Sequence, residues 1–96
     1  MKKLKMKMTN LPITIFKEGK SYVAYSPALD LSTSSSTYKG VQARFSEIVE
    51  IFFEEIMKMG TLDRVLSDLG WRKVKSKWQP PVIVSNYVQP MNLSYA

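Results

Sequence analysis

The run from Tyr38 to Met59 constrains this chain more than any other feature. Val41, Phe45, Ile48, Val49, Phe52, Ile56 and Met59 follow one another at spacings of four, three, one, three, four and three. That period gathers them on one face of an α-helix. Lys39, Arg44, Glu47, Glu54 and Lys58 fall away from it, and Gly60 supplies a stop. Fully burying a large apolar side chain is worth roughly 1.5–3 kcal/mol, so the stripe contributes on the order of ten before entropy. A helix of this kind needs a surface to lie on. Phe53 widens the stripe, while Ile51 sits among the charges as a candidate subunit or partner contact.

The surface is written upstream. Leu11, Ile13 and Ile15 alternate with Pro12, Thr14 and Phe16, so Leu11 to Lys17 reads as a strand. Glu18-Gly19-Lys20 reads as a turn, and Ser21 to Ser26 as the return strand of a hairpin. Pro27 has no N–H for a ladder and ends the pairing. Leu29 and Leu31 continue a period of two into the hydroxyl run Ser32 to Thr37. A third strand beginning at Leu29, followed by Ser36 or Thr37 as the helix N-cap, fits that pattern. A low-complexity linker is the competing reading.

Downstream, Thr61 reads as the cap of a short second helix with Leu62, Val65, Leu66 and Leu69 inward and Gly70 at its end. Pro80-Pro81 then precedes Val82-Ile-Val-Ser-Asn-Tyr-Val88, which reads as a further strand, and Met91 to Ala96 reads as a loose end. With 96 residues the chain has room for one core. The expected organisation is a basic segment at 1–10, an α+β domain at 11–79 and a Pro-bounded strand and tail at 80–96.

The net charge of +6 is unevenly placed. Six lysines against Glu18 make the first twenty residues basic, and Arg72, Lys73, Lys75 and Lys77 do the same after Trp71. Between them, seven carboxylates outnumber four cations. A basic rim around an acidic helix suits nucleic acid or an acidic protein surface; solvated, frayed lysines are the plainer reading of the N-terminus. Trp71, Arg72, Lys73, Lys75, Lys77 and Trp78 interleave aromatics with cations, a composition that serves stacking and phosphate contact. The structural alternative packs Trp71 and Val74 beneath the second helix, with the lysines outside a short hairpin.

The chain has no His and no Cys, which removes imidazole and thiolate chemistry and any disulfide framework. A two-Mg²⁺ nuclease gathers several carboxylates, yet Asp30 is the only acid in the expected strands apart from Glu18 in a turn. Glu47 and Glu50, or Glu50 and Glu54, have metal-sharing spacing, but a solvated helix face accounts for them. The sequence therefore predicts no enzyme, no metal and no cofactor. No apolar run is long enough to cross a bilayer or to form a signal peptide, and the expected location is the cytoplasm.

In order along the chain, several pieces resemble the HicB-like antitoxin domain. They are Gly19-Lys-Ser-Tyr-Val-Ala-Tyr25, Ser26-Pro-Ala-Leu-Asp-Leu31, a capping Thr37, Glu47-Ile-Val-Glu-Ile-Phe-Phe-Glu-Glu55 and Leu66-Ser-Asp-Leu-Gly-Trp71. Ser35-Ser36 stands where the family commonly has Gly-Asp, and Lys39-Gly40 where it has an acidic pair. The resemblance implies a partial RNase H-like α+β fold: a three-stranded antiparallel sheet plus a further C-terminal strand, one long helix packed on the sheet and a short second helix. It also implies protein binding, with a small basic RNA-cleaving toxin as partner and Glu47, Glu50, Ile51 and Glu54 as candidate contacts. The 25 residues after Trp71 hold three prolines and no helical period, so the DNA-binding unit of family autorepressors has no counterpart there. Three functional readings follow: toxin sequestration, nucleic-acid binding through Arg72, Lys73, Lys75, Lys77 and Trp78, and a stand-alone protein of the same fold with another partner. A homodimer through the C-terminal strand is also expected.

Overall fold

A computed structural model describes residues 10–94. Three strands form an antiparallel meander: β1 (Thr14–Glu18), β2 (Ser21–Ser26) and β3 (Leu31–Ser35), with β2 in the middle. Helix α1 (Tyr38–Lys58) crosses one face, chiefly over β3 and β2. Helix α2 (Leu62–Asp68) follows, and β4 (Arg72–Val74) and β5 (Lys77–Gln79) form a separate antiparallel hairpin. The architecture is α+β, with one long and one short helix.

The register decides which strand residues meet the helix. Ile15 lies opposite Ala24, which lies opposite Thr33, while Phe16, Val23 and Ser34 align on the other side. Ile15, Tyr22, Ala24 and Leu31 join the core under α1. Val23 and Tyr25 therefore point to the outer face, and Ile13 lies before the strand and is exposed. Alternation divides β2 into Val23 with Tyr25 on one face and Tyr22 with Ala24 on the other, and α1 covers the second pair; Ile13 has the parity of Ile15 but precedes β1 and stays open.

Helix α1 begins as its sequence requires. Thr37 is the N-cap, and its Oγ1 accepts from the Gly40 N–H at 2.9 Å. Gly40, which by propensity only weakens a first turn, sits where a Cβ would come within 2.6 Å of both the Ser35 and Thr37 hydroxyl oxygens. A larger residue there would displace the cap. The buried line is Val41, Phe45, Val49, Phe53 and Ile56, with Ile48 and Phe52 at its margin. Met59, expected inside, is exposed. The face is thus centred on Val49 and Phe53, and Phe53 stands edge-on to Phe52 and to Trp71, with ring centroids 5.4 and 6.2 Å away.

Both helices end in Schellman motifs. The N–H groups of Gly60 and Thr61 donate to the Met57 and Ile56 carbonyls, and those of Gly70 and Trp71 to the Ser67 and Leu66 carbonyls. Gly60 and Gly70 take φ of 70° and 89°, conformations that glycine adopts without strain. Thr61 occupies the N-cap position of α2 without capping it; its hydroxyl instead donates to the Ile56 carbonyl at 3.4 Å.

The second Schellman turn delivers Trp71 into the core against Leu66. Its indole Nε1–H donates to the Ala28 carbonyl at 2.8 Å in a buried setting. Ala28 and Leu29 are themselves buried, and the Ser26 hydroxyl accepts the Leu29 N–H. Asp30 then turns at φ 52°, and β3 begins only at Leu31. The third strand does not start at Leu29 because this turn is drawn inward.

The segment after β5 departs most from expectation. Val82 to Val88 forms no strand: it runs beyond the sheets with no ladder of its own, and Val82, Val84 and Val88 are 84%, 94% and 93% exposed. The radius of gyration, 16.3 Å, exceeds the ~12–13 Å of a compact chain of this length, as a projecting tail requires.

Replacing Phe53 with Ala should cost about 3–5 kcal/mol in urea unfolding, and Phe52→Ala distinctly less because Phe52 is only partly covered. Trp71→Phe should cost about 1–3 kcal/mol by stranding the Ala28 carbonyl. Lys75 and Ser76, the two loop residues of the β4–β5 hairpin, both have positive φ, 50° and 65°. Asn-Gly suits that backbone, so Lys75→Asn with Ser76→Gly should raise stability by about 1 kcal/mol in the same measurement.

Candidate functional site

Helical geometry puts Glu47, Glu50, Ile51 and Glu54 on one face, because residues separated by three, four and seven are neighbours on an α-helix. That face lies opposite the line of Phe45, Val49 and Phe53, so packing α1 on the sheet turns the carboxylates outward. All four side chains are exposed, and Ile51 retains 57% of its surface. The result is an apolar side chain bordered by three carboxylates on a 21-residue helix. Arg44, three residues before Glu47, reaches sideways to donate to the Ser34 carbonyl on β3 at 3.1 Å. Lys58, one turn beyond Glu54, closes the far end of the patch.

The cationic cluster is assembled by the hairpin. Arg72 pairs with Gln79, Lys73 with Trp78 and Val74 with Lys77. Lys73 and Trp78 share a side, with the Lys73 ammonium 5.7 Å from the indole centroid. Trp78 is partly buried against the core, and Trp71 is buried outright. Arg72, Lys73, Lys75 and Lys77 remain exposed, with Lys75 in the loop at the tip. The alternative that packs Trp71 and Val74 beneath the second helix, with the lysines outside a short hairpin, describes this geometry for Trp71 and the lysines but not for Val74, which is exposed. The lysines before residue 10 lie outside the described residues.

Asp30 is exposed and accepts a 3.1 Å hydrogen bond from the Tyr25 hydroxyl. That bond, with smaller contributions from burial and from the carboxylate charge, raises the Tyr25 pKa above its usual 10.0. Asp30 thus serves its own turn. Among the described residues, no three Asp or Glu side chains gather where they could hold a metal ion. No described helix is long and apolar enough to cross a membrane.

The outer face of the sheet is a surface that helix periodicity does not reveal. Phe16, 46% exposed, lies beside Val23 and near Tyr25, with the hydroxyls of Ser32 and Ser34 along the β3 side. Alternation within β1 and β2 marks both faces as apolar, so only the register says which one α1 covers.

Searches against protein-family models, curated proteins and solved structures found no match to this chain.

Purified chain incubated with RNA or DNA and Mg²⁺ should leave both intact, read by gel electrophoresis. Metal-dependent cleavage that disappears in Asp30→Asn would contradict this.

Proposed function

We propose that this chain is a protein-binding module of the HicB antitoxin kind, which sequesters a small basic RNA-cleaving partner. The observation that carries the reading is the outward face of α1, where Ile51 is bordered by Glu47, Glu50 and Glu54 and nothing else in the described chain covers them. An apolar centre with a charged border is how protein interfaces combine burial with orientation. Carboxylates of one sign steer a basic partner and disfavour acidic ones. The partial RNase H-like identity belongs to the same proposal; the strand-strand-strand-helix order and the capping Thr37 support it.

Nucleic-acid binding is the second reading, favoured by the exposed Arg72, Lys75 and Lys77 on the hairpin. It is the weaker one. Trp71 is buried and Trp78 is packed against the core beneath Lys73, so the segment offers cations without free aromatic faces. Contacts of that sort give salt-sensitive binding with little sequence preference.

The test is rescue of growth. A short basic protein encoded beside this chain should arrest growth when expressed alone, and co-expression of this chain should restore it. Glu47→Lys, Glu50→Lys and Glu54→Lys together should abolish rescue and lower affinity at least 100-fold by calorimetry, with an unchanged far-ultraviolet circular dichroism spectrum. Rescue that survives the triple charge reversal would remove α1 as the binding face.

A further inference from the structure

We propose that the segment Val82–Val88 is a donor strand that pairs with the free edge of β1 in a second copy of this chain, so that two copies exchange tails in a symmetric dimer. The tail has the composition of a strand and the environment of none. Residues 78–96 contain no Asp, Glu, Lys or Arg, which is unlike a segment kept extended by its charge. Val82, Val84 and Val88 share one face by the period of two, and each is more than four-fifths exposed. Tyr87, Met91 and Leu93 are exposed as well. An unaccompanied chain would leave this apolar surface in water.

The base of the tail is held. Pro81 packs beside Gly70, where an added Cβ would lie 3.4 Å from its ring. Residues 79–83 border a groove with Asn10 and Pro12, just before β1. Two successive prolines keep the chain extended as it leaves. Beyond that groove it enters no ladder of its own sheet, and Val84, Tyr87 and Val88 stay open.

The same chain supplies an acceptor. Among the described residues, β1 is bonded only to β2, and its five residues contain no proline. A charged side chain on an edge strand ordinarily deters pairing, but Lys17 lies over the Tyr22 ring, 5.6 Å from its centroid, on the α1 side of the sheet. The other edge is less open, because Arg44 occupies the Ser34 carbonyl of β3. A buried Val, Leu or Met side chain withdraws on the order of 100 Å² from water. Val82, Val84 and Val88 from two tails give roughly 600 Å² by that measure, and main-chain hydrogen bonds along β1 add to it, as strand addition does generally. A second copy satisfies donor and acceptor at once, and reciprocal exchange closes the assembly at two.

The experiment compares the full chain with Val84→Asp/Val88→Asp, two positions so exposed that the fold of one chain does not depend on them. Sedimentation equilibrium at high micromolar concentration should give twice the chain mass for the wild type and a single chain mass for the variant. Hydrogen exchange should show the amides of β1 protected in the wild type and at least tenfold faster in the variant, with β2 unchanged. A monomeric wild type overturns the proposal, including one whose β1 is protected by its own tail. A dimer that tolerates both aspartates overturns it too. Loss of the dimer without faster exchange in β1 overturns the choice of acceptor.

Discussion

One buried hydrogen bond, from the Trp71 indole to the Ala28 carbonyl, joins parts of the chain 43 residues apart and fixes how everything between them is arranged. Ala28 belongs to the turn that reverses β2 into β3, and Trp71 follows the last turn of α2. Between those anchors the chain must build β3, cross the sheet as α1 and turn back through α2. Phe53 meets the Trp71 ring from the helix, so the same residue ties both helices and the β2–β3 turn into one core. Without a partner, the indole N–H and the carbonyl would each be stranded in an apolar interior.

That arrangement has a consequence for the surface. Trp71 and Leu66 join the core on the Val49–Phe53 side of the long helix, the side its own apolar stripe turns inward. The opposite side, with Ile51 among its carboxylates, is left to solvent. The hairpin that follows Trp71 leaves the core with its cations outward and its second indole partly covered. Acidic helix face and basic hairpin are therefore products of one packing decision.

The order of elements was legible from the residues. Thr37 caps α1, Gly60 and Gly70 end the two helices, and the hairpin of β1 and β2 lies where alternation and a Gly-containing turn place it. Legibility failed at three kinds of place. Leu29 matched a strand period but is pulled into a turn by long-range burial, which no local pattern encodes. Alternation in β2 separates Val23 and Tyr25 from Tyr22 and Ala24 without saying which pair is inside, because both faces are apolar enough to be covered. Val82 to Val88 reads as a strand by propensity, yet a strand exists only where another backbone accepts its hydrogen bonds, and its own domain offers none that it uses.

The sequence by itself determined that this is an α+β chain without imidazole or thiolate chemistry. It also set a helix that must bury one face and show the other, since those properties depend on residue type and spacing along a single element. Only the tertiary structure decided the rest: which face of the sheet is covered, that a Cβ at Gly40 would press on the Ser35 and Thr37 hydroxyls, and that Trp71 is a core anchor rather than a stacking surface. Each of those depends on the distance between segments far apart in the chain. Such distances are set by the joint packing of all the elements, and no stretch of residues contains them alone.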